Sequence, residues 1–327
     1  MQATVDRLSP LAASLTVVSG TVHRQAIAAQ NLPQRLVPGL DNHYQVLTEP
    51  SRKNSLGAIA WAAARLQQKY GSVIAGSFAA DHAIADADAF RRAVSAAVKT
   101  AEEGKIVTIG IAPSYPATAY GYICASNTVL SPENSRPQVL LANSFKEKPS
   151  QPEAESYLAE GGYFWNAGMF VFNTEVFLSR LNNLHPQYYE TIQEMVRVNP
   201  GTADFTELWE SLPSYPIDTA IAEPVAAEGG VAVVSAEDFG WSDVGDYRSL
   251  ATVLRKDNPD ACIVRGSGNS ELLASPGAFI DHEGEEKLLV VGIPNAVVVR
   301  RGDVTLVTTT KSAQHLSKVV PSQGELQ

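Results

Sequence analysis

Cysteine is nearly missing from this chain, with only Cys124 and Cys262 among 327 residues. So far apart, they build neither a disulfide framework nor the paired spacing of a zinc site; they read as two buried thiols in a reducing compartment. No apolar run approaches the ~20 residues needed to cross a bilayer. The N-terminus lacks a basic start followed by an apolar block, so a cytoplasmic location and no membrane partner are expected. Net charge is −10, with no Lys/Arg-rich block. That excludes nucleic acid as the main partner, because counterion release requires a cationic surface. Low-complexity tracts, internal repeats of fixed period, a P-loop, a G-x-G-x-x-G fingerprint and local Ser-His-Asp or Cys-His sets are all lacking.

What is present is an ordinary globular composition, 45% hydrophobic and 18% charged, long enough for roughly two domains. Strand-like and helix-like runs alternate. Leu15–Ser19, Tyr44–Thr48, Ser72–Phe78, Lys105–Ile111, Val139–Phe145 and Val231–Ser235 read as strands. Val22–Gln30, the Ala-rich Asn54–Tyr70, Asp88–Glu103 and Tyr247–Leu254 read as helices, with Asp86 or Asp88 able to cap the third and Gly104 to stop it. Such alternation implies an α/β fold with a parallel or mixed sheet covered on both faces. After Arg255 short strands follow closely, among them Lys287–Val291, Ala296–Arg300 and Val304–Thr309. The expected division is a domain over 1–255 and a small β-rich appendage over 256–327. That appendage reads as hairpins closed by a helix over Ser312–Val320.

Phe145-Lys146-Glu147-Lys148-Pro149 ends an apolar strand in three alternating charges, and Pro cannot continue a ladder. Phe164-Trp165-Asn166-Ala167-Gly168-Met169-Phe170 sets one amide among aromatics where a new strand is expected to begin. A carboxylate, two ammonium groups and an amide beside aromatic walls suit a hydroxyl-rich anion such as a sugar phosphate. In open α/β sheets ligands lie beyond the carboxyl ends of strands. Asp81 follows the strand Ser72–Phe78 and Asp243 follows Val231–Ser235. Each also fits a turn or helix cap, yet two such carboxylates 162 positions apart (243 − 81) could converge on one hard cation. Gly121, between Tyr120 and Tyr122, permits close backbone approach and also fits a plain turn. Glu49-Pro50-Ser51-Arg52-Lys53-Asn54-Ser55 suits a base or phosphate, or equally a solvated loop with an Asn54 cap. Ile217-Asp218 through Glu223 also reads as one amphipathic turn.

Taken in order, these elements resemble one family across essentially the whole chain, the mannose-1-phosphate guanylyltransferases among the sugar-nucleotide pyrophosphorylases. Trp165-Asn166-Ala167-Gly168-Met169-Phe170 and Trp241-Ser242-Asp243-Val244-Gly245 are the most specific parts. The resemblance implies a Rossmann-like nucleotide-diphospho-sugar transferase fold, with a mixed, mostly parallel sheet. It implies a Mg²⁺-dependent reaction of GTP with mannose 1-phosphate, giving GDP-mannose and pyrophosphate. By the same resemblance Asp81 and Asp243 hold Mg²⁺, Glu147 takes sugar hydroxyls and Lys148 the sugar phosphate. Tyr120, Gly121, Asn166 and Asp218 complete the sugar pocket, while Glu49, Arg52 and Asn54 lie with Asp81 on the nucleotide side. A homodimer is also implied.

The chain departs from the family pattern at Ala79 for Pro, Ala119 for Gly, Ala167 for Ser and Thr219 for Tyr. Ala119 matters if that position needs φ > 0. Family members open with a strand and a G-G-x-G-T-R loop that cradles the triphosphate. No G-x-G-T-R occurs in this sequence, and Met1–Leu8 resembles the helix beyond that loop. One Arg on a transferring phosphoryl group is worth ~10³–10⁵ in rate. The expectation is therefore a nucleotidyltransferase fold lacking its first strand and loop, and a chain inactive or impaired as written. A catalytically dead sugar-phosphate-binding or regulatory paralogue stays open as an alternative. So does a sister enzyme for another nucleotide or hexose 1-phosphate.

Overall fold

The computed structural model describes residues 1–40, 43–255, 258–313 and 316. These form two compact units. The larger comprises residues 1–80 and 84–241; the smaller comprises 81–83 and everything from 242 onward.

The larger unit begins with helix α1 (Gln2–Leu8), strand β1 (Leu15–Gly20), the short α2 (Arg24–Ala28) and β2 (Tyr44–Glu49). β1 and β2 pair in parallel, Leu15 opposite Tyr44. Then come α3 (Asn54–Tyr70), β3 (Ile74–Ser77), α4 (Ala87–Glu102), β4 (Ile106–Ile111), β5 (Gly121–Val129) and β6 (Gln138–Lys146). α5 (Gln151–Glu160), β7 (Tyr163–Asn173), α6 (Thr174–Leu184), α7 (Pro186–Arg197), α8 (Ala203–Ser211), α9 (Glu223–Ala227) and β8 (Val231–Ser235) follow. The six-stranded sheet has the order β3-β7-β4-β8-β6-β5, and β5 also pairs with β7.

α3 forms where Ala-rich sequence places Leu56, Ala60, Trp61, Ala63 and Ala64 on one buried stripe. Trp61 meets Phe205 and Trp209 of α8 at ring separations of 4.8 and 5.7 Å. Such aromatic contacts contribute ~0.5–1.5 kcal/mol each beyond area burial. α4 is capped as expected: Asp86 accepts from the Asp88 and Ala89 N–H groups at 2.9 Å. Alternate residues of β7 separate to the two faces of the sheet. Phe164, Phe170 and Phe172 join the cluster that includes α3, α6, α7 and α8. Trp165, Ala167, Met169 and Val171 join the cluster that includes α4 and Ala154 of α5. Helices therefore cover both faces, and the α/β class stands.

The sheet is mixed, but it is not mostly parallel. Within the six strands only β4–β8 is a parallel pair. β7 runs against β3, β4 and β5, and β6 runs against β5 and β8. β7 is also longer than expected. Asn166 lies inside it, paired with Gly110 on one neighbour and Gly121 on the other, and does not begin it.

The smaller unit holds α10 (Tyr247–Arg255), β9 (Ile263–Arg265), β10 (Ser270–Leu273), β11 (Phe279–His282), β12 (Leu288–Val291), β13 (Ala296–Arg301), β14 (Val304–Thr309) and α11 (Thr310–Ala313). Its strands are not a run of hairpins. β9–β11, β11–β13 and β10–β12 pair in parallel, and only β13–β14 is antiparallel. Chain direction is kept because each coil returns after 16–18 residues, as Ile263 lies opposite Phe279 (279 − 263) and Phe279 opposite Val297 (297 − 279). Glycine makes this stacking feasible. At Gly266 (φ +89°) an added Cβ would lie 2.1 Å from the His282 carbonyl oxygen of the next coil. The repeat resides in backbone register, with no matching residue repeat to mark it in the sequence. The expected closing helix over Ser312–Val320 falls largely outside the described residues; α11 ends at Ala313. Nor are the thiols both buried: Cys124 is half-buried and Cys262 exposed.

Candidate functional site

On the face of β7 that carries Phe164, the larger unit gathers Gly121, Glu147, Asn166 and Asp218. Gly121 of β5 stands opposite Asn166 in the ladder. The space a Cβ would occupy at Gly121 lies 2.8 Å from Glu147 Oε2 and 3.4 Å from Asn166 Cβ. Glycine is therefore what admits both side chains over this strand. Asn166 Nδ2 donates to Asp218 Oδ1, and Asn166 Oδ1 accepts from the Gly168 N–H at 3.0 Å. The amide is thus locked at both ends and presents a fixed edge.

Asp218 opens a single π turn, Asp218–Ala222, whose following residue Glu223 donates its N–H to the Asp218 carbonyl. Burial pushes the Asp218 carboxyl above its ordinary range; the Asn166 hydrogen bond opposes this and the Glu147 charge adds to it. Glu223 is pushed up likewise, first by burial and then by Asp218 and Glu147, with Lys146 working against. Glu223 is thus electrostatically part of the group although no role was expected for it. An i, i+5 spacing matches neither helix nor strand periodicity, so no sequence template would have paired it with Asp218.

Lys148 adopts φ +43° and pairs with Glu147 at 3.3 Å, both side chains more than half exposed. Tyr120 is placed elsewhere. Its ring packs edge-on against Trp165 and Trp241, at 5.2 and 5.3 Å, within the cluster on the opposite sheet face from Asn166. Ala119 is not among the residues with positive φ, so the backbone there accepts a Cβ. Glu49 ends β2, half-buried, its carboxyl pushed up by burial and drawn down by Arg52. Arg52 and Asn54 are exposed, Asn54 with φ +60°. Asn54 does not serve as N-cap of α3, a position held by Lys53.

Asp81 and Asp243 both belong to the smaller unit. The Ala83–Ser242 bridge, with N–H···O distances of 2.9 and 3.0 Å in its two directions, holds them close to one pairing site. Val244 takes φ +50° immediately after Asp243, costly for a β-branched residue. Gly245 donates its N–H to Asp243 Oδ1 at 3.4 Å. Among the described residues no group of three or more His, Cys, Asp or Glu side chains is arranged to hold a metal. Two carboxylates are the donor set of a hard cation that keeps water and phosphate as its other ligands, and Mg²⁺ is such an ion.

A model of the nucleotidyl transferase family matches residues 4–259. The chain is 34% identical over 331 residues to the xanthan biosynthesis protein XanB of Xanthomonas campestris pv. campestris (strain B100), covering 98% of this chain and 65% of that one. It is 32% identical over 324 residues to the mannose-1-phosphate guanylyltransferase of Klebsiella pneumoniae, covering 98% and 66%. The chain thus spans about two thirds of the length of these relatives. Among solved structures, one described as mannose-1-phosphate geranyltransferase from Thermus thermophilus superposes with a TM-score of 0.78 at 27% identity, over 97% of this chain and 87% of that one. A mannose-6-phosphate isomerase from Helicobacter pylori, at 24% identity and TM-score 0.61, shares the fold over 74% of this chain and 89% of its own. Among the described residues no helix is long and apolar enough to cross a membrane.

Proposed function

This chain belongs to the nucleotidyl transferase family, and on that premise we propose that its reaction is guanylyl transfer from GTP to mannose 1-phosphate. A phosphate oxygen of the sugar phosphate attacks the α-phosphorus of GTP. The new P–O bond forms as the bond to the β-phosphate oxygen breaks, giving GDP-mannose and pyrophosphate. Chemistry of this kind asks for positioning and charge neutralisation, with little covalent work from the protein. The observation that carries the reading is the convergence of Gly121, Glu147, Asn166 and Asp218. Carboxylates accept from hexose hydroxyls and the locked amide offers a directed edge. Lys148, exposed two residues beyond β6, is the cation for the sugar phosphate. Glu49, Arg52 and Asn54 are assigned to the nucleotide. Asp81 and Asp243 would hold Mg²⁺, which when bound offsets the negative charge of the phosphates. The name of the Klebsiella pneumoniae relative, 32% identical to this chain, supports the substrate pair.

The test is pyrophosphate release by the purified protein with Mg²⁺, across GTP, ATP, UTP and dTTP and across mannose, glucose and galactose 1-phosphates. Release confined to GTP with mannose 1-phosphate is expected, and slowed, because no G-x-G-T-R loop occurs in this sequence to cradle the triphosphate. Release with another pair and not this one overturns the substrate assignment. Mannose 1-phosphate binding with no release from any pair removes the transfer reaction and leaves the hexose site.

A further inference from the structure

The loop between β2 and α3, together with the first turn of α3, is tied to the segment that leads into Asp218. Trp209 Nε1 donates to the Ser51 carbonyl at 2.9 Å. Lys53 Nζ donates to the Glu210 carbonyl at 2.8 Å and pairs with the Glu210 carboxylate at 3.4 Å. The Leu56 N–H donates to the Tyr215 carbonyl at 3.1 Å. Finally, the Ile217 N–H donates to Ser55 Oγ at 2.9 Å. This last tie ends one residue from Asp218, which itself holds the Asn166 amide. Ile217 is 2% exposed, so water cannot readily replace Ser55 as acceptor, and a buried N–H left without one is costly.

We propose that Ser55 is a positioning residue, which fixes Asp218 through the Ile217 N–H and so couples occupancy of the Glu49–Asn54 loop to binding of the hexose. The proposal rests on the reading of that loop as the nucleotide side and of Asp218 as part of the hexose side. Of these ties, the one nearest Asp218 runs from Ser55, in the first turn of α3, to the Ile217 N–H. A ligand that shifts Arg52 or Asn54 bears on this neighbouring hydroxyl, and by linkage each ligand alters the other's affinity by the same factor.

The experiment is titration calorimetry of mannose 1-phosphate into folded wild type, Ser55→Ala and Ser55→Thr. Each is run with and without GTP, in EDTA so that no turnover intervenes. Ser55→Ala is expected to weaken mannose 1-phosphate binding about tenfold and to bring the factor by which GTP changes that affinity close to one. Ser55→Thr, which keeps a hydroxyl acceptor, is expected to restore both, a rescue that mere loosening of the loop would not give. Wild-type binding that Ser55→Ala leaves unchanged overturns the coupling alone. A wild type that binds no mannose 1-phosphate overturns the hexose reading and the coupling with it. If Ser55→Ala does not fold, amide exchange at Ile217 in the wild type decides: slowing on GTP addition supports the tie, and an unaltered rate overturns it.

Discussion

Asn54, Lys148 and Val244 share a backbone conformation that ordinary residues avoid, with φ of +60°, +43° and +50°. Each lies in one of the segments assigned to substrate or metal, and they are three of only seven described non-glycine residues with positive φ. Strain held at such positions is expected where geometry serves binding and not stability. Gly121 shows the opposite economy, an open position used for close approach. Gly121→Ala would set a methyl 2.8 Å from Glu147 Oε2. Since that oxygen ends a flexible, exposed side chain, it would swing away, leaving the fold intact. Mannose 1-phosphate affinity is expected to fall about tenfold (~1.4 kcal/mol), and calorimetry showing wild-type affinity would refute the role. Asp218 gives a pH-dependent prediction. Its carboxyl is raised chiefly by burial, so its stabilising contribution is complete below the ordinary aspartate pKa and is lost as pH rises through the raised folded value. Asp218→Asn, which never ionises, should melt higher than wild type at pH 7. That gain should shrink as pH falls through the raised folded value and be gone below about pH 4, the ordinary aspartate range. A variant that melts lower than wild type at neutral pH would contradict it.

At the scale of elements, the stacked coils of the smaller unit depend on positions where a side chain cannot enter. An added methyl at Gly268 would lie 2.4 Å from Nδ1 of the buried His282 ring. That ring is held by Ser270 Oγ at 3.1 Å. Gly268→Ala should therefore cost the smaller unit ~1–3 kcal/mol, visible in calorimetry as an earlier melting transition; an unaltered profile would count against it. Elements set by local pattern were legible beforehand. α3 runs from Asn54 to Tyr70 and β8 from Val231 to Ser235 as their residues suggest, because apolar spacing and flanking breakers determine both. The coils were not legible, since parallel return after 16–18 residues is a matter of register between distant segments. The candidate site divides in the same manner. Glu147 and Asn166 stand out by composition, whereas the Asn166–Asp218 bond and the Ser55–Ile217 tie join residues 52 and 162 positions apart and leave no local trace.

For the whole molecule, the division of labour follows the division of the chain. The residues proposed for the hexose, Gly121, Glu147, Asn166 and Asp218, all belong to the larger unit, and those proposed for the metal, Asp81 and Asp243, both belong to the smaller. Substitutions should therefore separate two binding events. Asp81→Asn or Asp243→Asn should weaken Mn²⁺ binding, used as a probe for Mg²⁺, by at least about tenfold, a loss of ~1.4 kcal/mol. Mannose 1-phosphate affinity measured without metal should be spared. Glu147→Gln should do the reverse, since it keeps shape but loses a charged acceptor. A Glu147→Gln protein that binds mannose 1-phosphate as tightly as wild type would reject the assignment. The smaller unit has one further peculiarity: it takes residues 81–83 from the middle of the larger unit's sequence, and Ala83 pairs with Ser242. A gene cut at the 241/242 junction would therefore leave the larger unit whole and the smaller one short of residues 81–83. The fragment from Ser242 would start with its own bridge partner left behind in the other fragment. The smaller unit is thus discontinuous in the gene, and it could not be shuffled onto another protein as a single stretch without carrying residues 84–241 along.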